Sequence, residues 1–149
     1  MRATDEGLAI APIADGEVAA VVALWQRCGL TRAWNDPAAD IALAQRGPNS
    51  AVLVGRRDGT VVATVMVGHD GHRGWFYYLG VEPNLQGNGF GRAMTEAAEA
   101  WLGACGIAKA QLLVRAENDR ARAFYERLGY GEQDRLIFAK WLDDRDPTP

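Results

Sequence analysis

Metal and disulfide chemistry have little to draw on here: the 149 residues include two cysteines and two histidines. Cys28 and Cys105 each sit within a helix-like pattern and far from any histidine. A zinc site or disulfide framework needs more ligands at tighter spacing, so no metal is expected. Both thiols read as buried side chains in a reducing, cytoplasmic setting. Positive charge is not in excess either. Sixteen Lys and Arg against 19 Asp and Glu leave a net charge of −3, which argues against a nucleic-acid partner. An anionic small ligand is not excluded, because backbone dipoles hold phosphate without net positive charge. Long apolar runs are also missing. The longest, Val18 to Trp25, is eight residues, against about 20 for a membrane span. The stretch up to Glu17 has four acidic residues and no apolar core, unlike a signal peptide. There is no internal repeat, low-complexity tract or linker.

What remains is the composition of an ordinary globular protein, 48% apolar and 23% charged. This length suits one domain, residues 1–149. Leu8 to Ile13 reads as an opening strand. A helix follows from Asp15, with Val18, Val21, Val22, Trp25 and Cys28 on one face and Gly29 at its end. After a loop, Asp36 caps a second helix that starts at Pro37 and runs to about Arg46. Ala51 to Arg56 and Val61 to Val67 are strands joined by a hairpin turn at Asp58-Gly59. Trp75 to Val81 is apolar or aromatic on both faces, as in a strand near the centre of a covered sheet. A long helix carries Met94, Ala97, Ala98, Trp101, Leu102 and Cys105 on one face, and Gly106 ends it. Ala108 to Arg115 is a further strand, Asn118 caps a helix ending at Gly129, and Arg135 to Leu142 reads as a last strand. The predicted fold class is α/β (α+β): a mixed, mostly antiparallel sheet with helices on both faces, in the order β-α-α-β-β-β-α-β-α-β, with room for one further strand.

The segment Gln86-Gly87-Asn88-Gly89-Phe90-Gly91 joins the central strand to the long helix. Glycine lets backbone approach a ligand closely and adopt unusual φ. The first amides of a helix lack internal partners and lie at the positive end of its dipole. Together these make a pyrophosphate cradle, to which Arg92 can add a charge-assisted contact. The P-loop ending Gly-Lys-Ser/Thr is absent. The dinucleotide fingerprint fails from Gly87, where position 92 is Arg, and from Gly89, where position 94 is Met.

Gln86-x-x-Gly89-x-Gly91 follows a strand ending Leu79-Gly80-Val81-Glu82-Pro83. Downstream come Asn118 and Ala121-Arg122-Ala123-Phe124-Tyr125-Glu126-Arg127-Leu128-Gly129-Tyr130. In order and spacing these resemble the two acyl-CoA motifs of the GNAT superfamily of acetyl-CoA-dependent N-acyltransferases. Leu24-Trp25-x-Arg27-Cys28, Trp34-Asn35-Asp36-Pro37, Gly71-His72-Arg73-Gly74 and Tyr77-Tyr78-Leu79-Gly80-Val81 further resemble its YpeA-like subfamily.

The resemblance implies acetyl-CoA as co-substrate, an amine as acceptor, and direct transfer in a ternary complex. It implies no nucleic-acid or membrane partner and allows a homodimer. Leu79, Gly80 and Val81 would pair with the pantetheine arm and supply the oxyanion donor. Gln86 and the amides of Gly87, Asn88, Gly89, Phe90, Gly91 and Arg92 would hold the pyrophosphate. Asn118 would contact the arm, or serve only as a helix cap, or both. Tyr125 would protonate the departing thiolate; without the motif it reads more readily as a tyrosine at the core edge bonded to water. Arg32, Trp34, Asn35 and Asp36 offer stacking, amide and carboxylate groups to the acceptor, or else Asp36 only caps and Trp34 only covers core.

No general base is assigned, because Trp75 to Val81 and Leu112 to Arg115 contain no acid or histidine. Presenting a lysine amine neutral at pH 7 costs about 4.6 kcal/mol, and an α-amine about 1.4 kcal/mol. A site without a strong base suits the second. The alternative is a non-catalytic acyl-CoA sensor or regulatory module on the same fold.

Overall fold

A computed structural model describes residues 2–3 and 7–145 of the chain. The strands are β1 (Arg2–Ala3), β2 (Ala9–Pro12), β3 (Ser50–Arg57), β4 (Thr60–His69), β5 (Gly74–Val81) and β6 (Ala110–Leu112). The helices are α1 (Val18–Arg27), α2 (Pro37–Gln45), α3 (Phe90–Ala104) and α4 (Asp119–Arg127). All six strands lie in one sheet in sequence order. Neighbours are antiparallel except β5 and β6, which are parallel. Among the described residues no helix is long and apolar enough to cross a membrane.

Burial on both faces follows from the strand alternation. Val52 and Val54 of β3 pack with Val21, Leu24, Trp25, Ile41 and Ala44 beneath α1 and α2. Leu53, between them, points the other way, into a core with Val65, Val67 and the Phe90, Met94, Ala98 and Leu102 stripe of α3. The expected mixed sheet with helices on both faces is therefore present. The Asp58-Gly59 hairpin is also present, and both residues have positive φ, at 50° and 79°.

Two departures define the site. Strand β5 carries a bulge: Met66 pairs with Tyr77 and Thr64 with Gly80, so two steps on β4 face three on β5. Tyr78 takes up the extra step at φ 54°. The parallel pairing of β5 with β6 stops at Phe76 and Leu112, leaving Tyr77 to Val81 unpaired on that side.

Other expectations need correcting. The opening strand is shorter than Leu8 to Ile13 and is preceded by β1. The strand expected over Ala108 to Arg115 contracts to Ala110–Leu112. Arg135 to Leu142 forms no strand. Its apolar run, Leu136 to Ala139, resembles a strand, but it forms no ladder with any described strand. Leu136 and Phe138 stand 86% and 92% exposed. Nor are both thiols buried. Cys28 is half-buried and Cys105, at the C-cap of α3, is exposed.

Candidate active site

The unpaired half of β5 forms the floor of a groove of about 570 Å3 between α3 and α4. Leu79, Gly80 and Val81 line it, with Gln86, Gly87, Gly89, Phe90, Gly91, Arg92, Asn118 and Tyr125. All the residues expected to hold a cofactor meet here except Asn88, whose side-chain amide turns back to donate to the Leu85 carbonyl at 2.8 Å.

The local chemistry explains this shape. Gly87 and Gly89 have φ of 86° and 82°, in the left-handed region that disfavours side chains. Gly89 is the N-cap of α3. The amides from Gly87 to Arg92 donate to no acceptor among the described residues. Gly91 packs closely on α4 instead: a Cβ there would meet the Phe124 ring at 3.1 Å, so the ring would have to give way. Gln86 bridges the two walls: its amide donates to the Val81 carbonyl at 3.3 Å and its oxygen accepts from Arg120 at 2.9 Å. Asn118 caps α4 through Ala121 N–H at 3.1 Å.

Arg120 and Arg127, which sequence reasoning missed, join Arg92 around the groove. Their signal was their place beside the Ala121, Phe124, Tyr125, Leu128 face of α4. Free amides, positive-φ glycines and three guanidiniums fit a polyphosphate. The open edge of β5 fits an extended amide-bearing arm.

Tyr125 is half-buried in this groove, with its ring edge-on to Phe124 and Tyr130. Its hydroxyl makes no hydrogen bond among the described residues. Burial pushes its pKa up to about 12, so the phenol keeps its proton across the neutral range. Cys28 also lines the groove, and its thiol donates to the Val81 carbonyl at 3.2 Å. Burial and nearby Glu82 raise its pKa and make it a poor nucleophile. Glu82 itself is ion-paired to Arg27 at 2.6 Å, tying α1 to the end of β5.

A second groove of about 540 Å3 adjoins the first at Leu30, on the far side of β5. Arg32, Asn35, Asp40, Tyr77, Tyr78, Leu113 and Arg115 are among its lining residues. Of the expected acceptor residues, Arg32 and Asn35 are here. Trp34 is not on the wall; its carbonyl accepts from Arg145 at 2.9 Å. Asp36 caps α2 through Ala39 N–H at 3.1 Å. Asp40, Tyr77, Tyr78 and Arg115 were missed.

Tyr78 is held from three directions. Its ring stacks on buried Trp25 at a centroid distance of 3.7 Å. Its carbonyl accepts from Thr64 at 3.0 Å, and Thr64 accepts from Trp25 Nε1 at 2.8 Å. Its hydroxyl donates to Asp40 at 2.7 Å.

The sheet is thus opened at one parallel pair, with an amide-rich turn on one side of the opening and a charged groove on the other. The sequence profile of the acetyltransferase (GNAT) family matches residues 13–130. Acetyltransferases of Yersinia pestis, from strains Pestoides F and Antiqua, are 43% identical over 122 residues, covering 82% of this chain and 86% of theirs. Among solved structures, the ribosomal-protein-S18-alanine N-acetyltransferase of Escherichia coli is 26% identical with a TM-score of 0.71. That match covers 85% of this chain and 79% of the other. The aminoglycoside acetyltransferase AAC(6')-Iy, solved with the bisubstrate analogue CoA-S-monomethyl-acetylneamine, shares the fold at a TM-score of 0.77 and 17% identity. There 90% of this chain and 97% of that one are covered. The chain belongs to the acetyltransferase (GNAT) family and is an N-acetyltransferase.

Proposed function

We propose that the protein transfers the acetyl group of acetyl-CoA to a primary amine by direct attack in a ternary complex. One observation carries this reading: the open edge of β5, the Gly87–Arg92 turn and Tyr125 line one groove, while a second groove reaches β5 at Tyr77 and Tyr78. The amides and Arg92, Arg120 and Arg127 hold the phosphates, as helix N-termini and guanidiniums do. The Leu79–Val81 edge pairs with the pantetheine arm as a neighbouring strand would, and Asn118 borders it.

The amine enters from the second groove. Its nitrogen forms a bond to the thioester carbon, the C–S bond breaks, the thiolate takes a proton from Tyr125, and the proton released by the new amide nitrogen returns through solvent to the Tyr125 oxygen. An ammonium acceptor thus gives the acetamide, CoA thiol and one proton to solvent. Backbone N–H groups at Leu79 to Val81 stabilise the oxyanion of the addition step. The likeness to proteins named for an alanine substrate and solved with a CoA–acceptor conjugate supports an amine acceptor.

Calorimetry with acetyl-CoA, followed by thiol-release assays over an amine panel, tests the reading. Binding together with amine-dependent thiol release is expected. No binding, or thiol release that no amine accelerates, overturns it.

A further inference from the structure

The second groove carries charges of both signs, and their placement specifies the acceptor more closely. This inference rests on the transfer reading above. Asp40 comes from α2 and presents its carboxylate beside Tyr78. One oxygen, Oδ2, accepts from the Tyr78 hydroxyl, and Arg145 lies near enough to interact electrostatically with the same carboxylate. Tyr78 precedes Leu79, where the groove for the thioester begins, so Asp40 marks the reacting end.

The other charges in the lining are positive. Arg115 follows β6 and is exposed; its carbonyl accepts from Asn118 N–H at 2.9 Å, and its guanidinium makes no hydrogen bond or ion pair among the described residues. Arg32, from the α1–α2 loop, donates through one nitrogen, Nη1, to the Gly29 and Thr31 carbonyls, both at 2.8 Å. Its remaining nitrogens make no hydrogen bond among the described residues. A simple cationic amine would satisfy Asp40 and meet uncompensated repulsion from two guanidiniums. A molecule carrying an ammonium and a carboxylate satisfies both ends.

We propose that the acceptor is an amine that also bears a carboxylate, an amino acid or a short peptide with an acidic group, with its ammonium at Asp40 and Tyr78 and its carboxylate at Arg115 and Arg32. Of these, the α-amine of a peptide also has the low pKa that a site without a strong base requires.

The test pairs each carboxylate-bearing amine with its carboxamide, at saturating acetyl-CoA. Wild type, Arg115→Gln and Arg115→Lys are compared, and acetyl-CoA affinity is measured in parallel by calorimetry. The expected result is a kcat/KM about tenfold or more above that of the carboxamide, as loss of a charge-assisted hydrogen bond costs. Arg115→Gln should abolish that preference through acceptor KM, Arg115→Lys should restore part of it, and acetyl-CoA affinity should not change. Equal rates for acid and carboxamide, or a preference untouched in Arg115→Gln, overturn the assignment. A protein that binds acetyl-CoA yet turns over only amines without a carboxylate also overturns it and leaves the transfer reading standing, whereas turnover of no amine overturns both. Failure to bind acetyl-CoA overturns the transfer reading itself.

Discussion

The Tyr78 hydroxyl donates to Asp40 Oδ2 at 2.7 Å across 38 positions of sequence, joining the bulge of β5 to the outer surface of α2. Burial, reinforced by the neighbouring carboxylate, raises the phenol pKa, so Tyr78 remains a donor at any working pH. Tyr78→Phe keeps the ring on Trp25 and removes only this donor. We expect acceptor kcat/KM to fall about tenfold and the unfolding free energy to drop about 1 kcal/mol, the scale of one hydrogen bond. Acetyl-CoA affinity should hold. Acceptor kinetics and urea melts on one preparation check both numbers, and a wild-type acceptor KM would detach this pair from acceptor binding.

Gly89 and Gly91 should fail for different reasons. Gly89→Val forces a β-branched residue to φ 82° at the cap of α3 and places a side chain where phosphate must approach. Gly91→Val keeps an ordinary φ but drives its Cβ into the Phe124 ring. Both should abolish acetyl-CoA binding in a protein that still folds, with the loss in Gly91→Val passing through displacement of α4. Calorimetry on the Gly89→Val protein is decisive: binding within threefold of wild type would mean that the cradle is misplaced.

Tyr125→Phe should lower kcat by about 10–10⁴-fold at neutral pH, as loss of a general acid does, with acetyl-CoA affinity little changed. The sign of the pKa shift sets the pH behaviour. A phenol raised to about 12 stays protonated well past pH 9, so the wild-type rate should rise with acceptor deprotonation and show no alkaline fall from this group. The penalty for Tyr125→Phe should shrink above about pH 8.5, where the leaving thiolate no longer needs a proton. Equal kcat in the two proteins from pH 6 to 9 would remove Tyr125 from the mechanism.

Local chemistry made much of this molecule readable in advance. Asp58-Gly59, Asp36-Pro37 and Asn118 each do what their residue types dictate nearby, at a turn or a helix cap. The glycine turn was legible for the same reason, since three glycines between strand and helix have few other uses. What escaped notice depends on contacts distant in sequence. A tyrosine at φ 54° has no propensity signal, and the bulge that places it there depends on the register with Thr64 and Met66. Asp40 reads as a solvated helix residue until α2 is laid beside β5. The segment from Arg135 to Leu142 shows the converse: its β-branched and aromatic apolar residues suit a strand, but it has no partner strand to form a ladder.

Thr64 offers the sharpest test of how the bulge is held. It is fully buried, and its one oxygen accepts from Trp25 Nε1 while its hydroxyl donates to the Tyr78 carbonyl. Thr64→Val is close in shape but leaves both groups without a partner. Each such group costs about 1–3 kcal/mol, so we expect a loss of about 2–4 kcal/mol, partly offset by the added methyl. Thr64→Ser keeps the hydroxyl and gives up a methyl, a change of about 0.5–1.5 kcal/mol for a deleted buried group of that size. The valine variant should also raise acceptor KM, because Tyr78 loses its backbone anchor beside the second groove, while acetyl-CoA affinity holds. Urea unfolding of the two variants separates the explanations. Valine costing well above serine places the stability in the hydrogen bonds. Equal losses would place it in packing alone, and the bulge would then owe its position to the Trp25 ring rather than to Thr64.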